Sequence, residues 1–236
     1  MKKKKTANRG KKFIHDLCYT FIKVTGALPL ILFLRTKLIY KGEKPKRKSN
    51  FLVCSNHVGY LDPIIVLTVF KTRRPCFLAA DNMFKNKFSA AFFNIFNCIK
   101  TDRANFSLSA FHTVIERLNE GQTVVVFPEG QINKTEKGGV LPFKTGILLM
   151  AHKGNSPILP IYIIKREKWY QRQKVVIGEQ VDISSVIGDN PSINRITSIS
   201  ELLEQKEIEL RDYYENFYSK KKQSKQEDIA NEQRAL

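Results

Sequence analysis

Nothing in this sequence supports a disulfide or zinc framework. Its 4 cysteines, Cys18, Cys54, Cys76 and Cys98, form no C-x-x-C pair, and no histidine lies at zinc-finger spacing from them. They read as reduced thiols in apolar surroundings, which suits a cytosolic compartment. A glycine-rich phosphate loop of the Walker or dinucleotide kind is missing, and so is any internal repeat. No set of four candidate metal ligands is visible, so no metal is expected. Acid is scarce: 22 Asp and Glu stand against 40 Lys and Arg, a net charge of +18. That deficit excludes a neutral, partnerless surface and points to an anionic partner, whether nucleic acid, an anionic membrane or a phosphorylated substrate. What remains is ample for folding. With 42% hydrophobic and 26% charged residues, wholesale disorder is excluded. A chain of 236 residues holds one sizeable α/β domain with a small appendage, not two ordinary domains.

The charge is concentrated. Residues 1–50 carry +13 of the +18, so the excess is an N-terminal arm on a nearly balanced body. Lys2 to Lys5, Arg9, Lys11 and Lys12 lead into an apolar stretch, residues 13–34. No small-x-small cleavage site follows it. Its uninterrupted apolar run is only Ala27 to Leu34, short of the roughly 20 residues that a spanning helix needs. An in-plane helix fits better: Ile14, Leu17, Phe21, Val24 and Leu28 recur every three or four residues as one apolar stripe. Gly26 and Pro29 are expected to break or kink it before a second apolar piece, Leu30–Leu34. Two short apolar helices flanked by lysines predict an anchor lying in an anionic membrane surface. The other reading is that this helix caps the protein's own core.

Beyond Lys37 the pattern alternates. Strands are expected at 38–40, 51–55, 76–80, 123–127, 158–164 and 174–177. Helices are expected from Asp62 to about Phe70, over 82–97 with an aromatic core face, from Asn105 or Ser107 to Gly121 with Leu108, Phe111, Ile115 and Leu118 inward, over 143–153, and from Ser198 to about Tyr218. A fraying polar tail follows. This alternation predicts an α/β fold: a mixed, largely parallel sheet covered by helices on both faces. The expected division is a basic arm and membrane motif (1–45), a catalytic domain (46–218) and a tail (219–236).

Three polar clusters fall just after buried strands, where α/β proteins place their sites. The first is Asn56-His57-Val58-Gly59-Tyr60-Leu61-Asp62-Pro63. His57 and Asp62 can meet only if Gly59 and Tyr60 form a turn. They would then make a general base held by a carboxylate, able to take a proton from an alcohol. Alone, the spacing describes a capped helix and a strand-end histidine equally well, with Asp62 at the N-cap and Pro63 at the first helical position. The second is Lys100-Thr101-Asp102-Arg103, in which Arg103 is a planar fork suited to phosphate and Lys100 adds a point charge. The third is Phe127-Pro128-Glu129-Gly130, placing Glu129 at the end of a strand. Lys144, in Pro142-Phe143-Lys144-Thr145-Gly146, should open a helix near the same edge.

Taken in order, NHVGYLDP, IKTDR, FPEG and PFKTG, with Leu159-Pro160-Ile161 on the next strand, resemble the glycerolipid acyltransferase family over residues 50 to 165. The resemblance implies that His57 and Asp62 are the catalytic pair, that Arg103 binds phosphate, and that Glu129 and Gly130 bind the acceptor. It also implies an N-terminal membrane motif and a family-like α/β fold. One departure is visible: Lys100-Thr101 replace the apolar pair that usually precedes Asp-Arg, which bears on the acceptor rather than on the reaction. The activity implied is transfer of an acyl group from acyl-CoA or acyl-carrier protein to the sn-2 hydroxyl of lysophosphatidic acid, at the cytoplasmic face of the cell membrane. The thioester is then a substrate, and no cofactor is expected. Glycerol-3-phosphate or another lysolipid is the alternative acceptor. A non-enzymatic basic protein is the third reading; the apolar stripe beside the lysines argues against nucleic acid as its partner.

Overall fold

The computed structural model describes residues 14, 16–45, 50–70, 74–102, 107–134, 141–183, 187–188 and 192–234. Seven strands form one sheet: β1 (Lys37–Tyr40), β2 (Leu52–Ser55), β3 (Cys76–Ala80), β4 (Cys98–Thr101), β5 (Val124–Val126), β6 (Ile158–Ile163) and β7 (Lys174–Ile177). Their order is β1-β7-β6-β2-β5-β3-β4. Every neighbouring pair is parallel except β6–β7. The central strands β2, β5 and β6 are buried along their whole length. This is why they read as continuous apolar runs rather than alternating ones.

Helices cover both faces. One core joins sheet residues such as Leu52, Cys54 and Val124 to α4 (Leu108–Asn119), α5 (Gly146–Lys153) and the start of α6 (Ile193–Arg234). The other joins Val53, Val125 and Leu159 to α2 (Asp62–Val69) and to Leu34 of the N-terminal helix. The fold is thus α/β with a mixed, mostly parallel sheet, as the alternation predicts. Cys54 and Cys76 are buried thiols, and Cys18 and Cys98 are half-buried; all four are unbridged.

Several local expectations are corrected. Residues 82–97 are not one helix with a core face. A 3₁₀ turn (Asp81–Phe84) precedes α3 (Lys87–Ile95), which Asn86 opens through a capping box with Ser89. No α3 residue is buried, and Phe88 is 88% exposed. Spacing reveals an aromatic face but not what the face meets. In α4 the buried line is Ala110, Val114 and Leu118, while Leu108 is exposed. The fifth helix opens at Gly146, so Lys144 precedes it. The edge strand β4 occupies Cys98–Thr101, which reads in sequence as part of a polar cluster. Helix α6 runs from Ile193 to Arg234, longer at both ends than expected, because Glu, Lys, Gln and Arg are strong helix formers.

The N-terminal segment is one helix over Asp16–Leu34, α1, rather than two. Where a break or kink is expected, Lys23–Ala27 widen into a π turn, and the Leu28 N–H donates to the Lys23 carbonyl. Such a turn absorbs a proline one residue further on, Pro29, without interrupting the helix. By length and composition α1 could cross a membrane, yet both its ends are fastened to the body. Near the start, Asp16 pairs with Arg74, whose guanidinium lies 3.6 Å over the Tyr19 ring. At the end, Leu34 is buried, and its carbonyl accepts from the Gln173 N–H at 3.0 Å. The helix therefore lies along the domain. Its stripe (Ile14, Leu17, Phe21, Val24 and Leu28) faces outward and exposed, not into the protein's own core.

Candidate active site

The parallel strands β2 and β5 end side by side, and the loops that leave them carry the first and third polar clusters. After Ser55 the chain is clamped by Asn56. Its side-chain amide donates to the Ile163 carbonyl at 3.0 Å, and its oxygen accepts from the Ile163 N–H at 2.7 Å. This fixes where the next residue, His57, leaves the sheet.

The five-residue separation of His57 and Asp62 is closed by a turn. Asp62 is not an N-cap. It is the first residue of α2, whose N-cap is Leu61. Its carboxylate turns back instead, and Oδ2 accepts from the N–H groups of Val58 at 2.7 Å and Gly59 at 2.8 Å. The same oxygen lies 2.7 Å from His57 Nδ1. An ionised carboxylate only accepts, so Nδ1 is the donor, and in the neutral imidazole Nε2 then keeps its lone pair. Asp62 is 1% exposed. The three donors on one oxygen supply the compensation that a buried charge requires. The imidazole lies over Phe127, with ring centroids 4.3 Å apart and planes at 22°. This packing limits the ring to a narrow range of tilts.

Glu129 follows β5 in a tight turn closed by Gly130, whose N–H donates to the Phe127 carbonyl at 3.0 Å and whose φ is +67°. The left-handed conformation suits glycine. A Cβ at Gly130 would lie 3.1 Å from Lys144 Cε, so the ammonium arm of Lys144 passes directly over this turn. The Glu129 side chain is buried. Burial pushes its carboxyl up to about 7, offset in part by the His57 N–H, the Asn133 side chain and the Leu141 N–H that face it. Near it, Glu207 of α6 is wholly buried, and its carboxylate has no hydrogen-bond partner. Burial, with Glu129 and Glu204 nearby, pushes its carboxyl well up.

His57, Asp62, Glu129, Gly130 and Lys144 thus gather at one edge of the sheet. Lys100 does not join them. It sits on β4, three strand spacings from β2, or roughly 14 Å at the usual interstrand distance. There it lines a hollow of about 370 Å³ with Asn94, Asn97, Thr113 and Arg117. Arg103 lies outside the described residues.

Residues 37–164 match the protein-family model described as Acyltransferase. The chain belongs to the acyltransferase family. Within the family, it is 28% identical over 198 residues to the 1-acyl-sn-glycerol-3-phosphate acyltransferase of Bacillus subtilis, covering 78% of this chain and 94% of that one. The enzyme of the same name from Borreliella burgdorferi is 27% identical over 155 residues, 64% of this chain and 61% of the relative. Among solved structures, the 1-acyl-sn-glycerophosphate (LPA) acyltransferase PlsC of Thermotoga maritima has the same fold, with a TM-score of 0.56 at 24% identity, over 87% of this chain and 83% of that one.

Three residues of this acyltransferase's site escape sequence reading in different ways. Asn56 stands inside the NHVGYLDP string, which flags it, yet its clamp on β6 involves a partner 107 positions away. Asn133, whose N–H donates to the His57 carbonyl at 2.7 Å, carries no local signal. Glu207 looks like one more acid on a polar helix until packing encloses it.

Proposed function

We propose that this acyltransferase moves a fatty acyl group from a thioester, acyl-CoA or acyl-carrier protein, to the sn-2 hydroxyl of lysophosphatidic acid. The observation that carries the reading is the His57–Asp62 contact, one buried carboxylate oxygen holding Nδ1 and two backbone N–H groups. The relatives' names supply the acceptor. His57 Nε2 takes the hydroxyl proton as that oxygen attacks the thioester carbonyl. The tetrahedral intermediate collapses by breaking the carbon–sulfur bond, and the departing thiolate takes the proton from the imidazolium. Asp62 holds the tautomer and stabilises the imidazolium. Arg103 holds the acceptor's phosphate, and Lys144, beside Glu129 and Gly130, adds positive charge for it. The exposed stripe of α1 lies in the surface of an anionic membrane on its cytoplasmic face. The lysophospholipid arrives from that surface and the thioester from solution.

The test is thiol release by the purified enzyme, with palmitoyl-CoA and a panel of acceptors. Lysophosphatidic acid should be the preferred acceptor. Inert lysophosphatidic acid alongside acylated glycerol-3-phosphate would reassign the acceptor. His57→Ala should lower kcat by about 10²–10⁴-fold with an unchanged circular dichroism spectrum. A smaller loss would remove His57 from the role of base.

A further inference from the structure

The turn between β6 and β7 combines exposure, charge and position in a way the chemistry above does not use. Its sequence, residues 165–172, is Lys-Arg-Glu-Lys-Trp-Tyr-Gln-Arg, with Glu167 the single acid. Trp169 is 71% exposed and Tyr170 61% exposed. These rings are held out by a braced turn. Arg166 donates to the Trp169 carbonyl at 2.8 Å, the Gln171 N–H donates to the Lys168 carbonyl at 3.1 Å, and Arg172 Nε donates to the Arg35 carbonyl at 3.1 Å. Trp169 stacks on Phe33 of α1, with centroids 6.0 Å apart and planes at 10°, and Tyr170 meets Trp169 edge-on at 5.9 Å. Leu28, Leu32 and Phe33 are themselves exposed. The aromatic turn therefore continues the outward stripe of α1 as one apolar surface, rimmed by Arg35, Lys165, Lys168 and Arg172. An exposed apolar surface of this extent marks an interaction site. Trp and Tyr favour the headgroup level of a bilayer, where one end of the ring is apolar and the other wet, and the surrounding cations complement an anionic leaflet.

Topology ties this surface to the candidate site. Because β7 runs antiparallel to β6, with Ile163 opposite Val175, the turn emerges at the end of β6. That strand lies parallel and adjacent to β2, with Ile161 opposite Ser55. The turn and His57 therefore share one sheet edge. Parallel pairing of β1 with β7, Lys37 opposite Lys174, brings the end of α1 to the same edge.

We infer that the 165–172 turn is a second membrane-contacting element, which docks with α1 onto an anionic bilayer and sets the edge carrying His57 against the lipid surface. The inference rests on the proposal that α1 lies in the membrane surface. Continuity with α1 selects a bilayer over an acidic protein as the occupant.

Trp169 is the only tryptophan in the chain, so the fluorescence of the full, unmodified protein reports on this turn alone. With phosphatidylcholine vesicles containing phosphatidylglycerol, its emission should shift to the blue, and brominated acyl chains should quench it. Trp169→Ala/Tyr170→Ala should weaken cosedimentation with these vesicles by about fivefold or more, the change expected for about 1 kcal/mol, with an unchanged circular dichroism spectrum. Lys165→Gln/Lys168→Gln should weaken it by about fivefold per cation removed. Protein that sediments with vesicles while its emission stays unshifted and unquenched would overturn the role of the turn and leave that of α1 standing. Failure to sediment at all would overturn both.

Discussion

A carboxylate buried beside the His57 loop marks the residue scale. Glu129 has a folded-state pKa near 7, against an ordinary 4.5. The folded protein thus binds a proton more tightly than the unfolded chain, and stability falls as pH rises between those values. The loss is at most on the order of 3 kcal/mol for a shift of this size, or roughly 6–12 °C in melting temperature for a chain of this length. Glu129→Gln should recover a large part of the drop between pH 5 and 8, measured as the difference from wild type. A mutant whose melting temperature tracks wild type across that range would show that the carboxyl ionises without penalty. Sequence makes the residue visible but not its state. FPEG marks Glu129 as the end of a strand, whereas the groups that face it, Asn133 and Glu207, come from segments with no motif. For Asp62 the spacing to His57 suggests a pair and Pro63 suggests a cap. Only the turn geometry decides between them, by directing Oδ2 backward onto His57, Val58 and Gly59.

Elements show a similar division. The β5 turn favours Gly130, because its φ of +67° is one that side chains rarely adopt and a Cβ would press on the overlying Lys144 arm. Gly130→Ala should cost about 1–2 kcal/mol from the left-handed backbone alone, a fall of several degrees in melting temperature. It should also displace Lys144 and raise the KM for the acceptor more than that for the thioester. Equal KM values in mutant and wild type would dissociate Lys144 from acceptor binding. Buried strands such as Val124–Val126 are legible because both their faces are apolar. Helix α3 is legible only as a helix, since Phe88 and Phe92 repeat at a helical interval whether they meet a core or solvent. The β4 strand is too short, and too close to a polar string, to stand out.

At the scale of the whole molecule, charge and apolar surface lie at the same end of the sequence. Residues 1–50 hold +13, and α1 turns its stripe outward. Binding to anionic vesicles should therefore weaken steeply with salt, as screening shortens from about 10 Å at 0.1 M to about 3 Å at 1 M. Deleting residues 1–12 should lower affinity for anionic vesicles far more than for neutral ones, at about 1 kcal/mol for each cation that reaches the surface. Equal losses on both vesicle types would assign binding to the apolar stripe alone. Composition points to an anionic partner. It cannot reveal which sheet edge a partner meets, because strand order depends on pairings such as β1 with β7 and β2 with β6, between residues more than 100 positions apart.

The two hydrogen bonds from Asn56 to Ile163 couple the placement of the imidazole to the register of a neighbouring strand. Sliding β6 by one residue would carry His57 about 3.3 Å along the sheet, more than the length of any bond it must make. A molecule with that slip would keep its secondary structure and still be chemically silent, so catalytic rate is a more sensitive gauge of correct strand alignment here than any spectroscopic measure of folding.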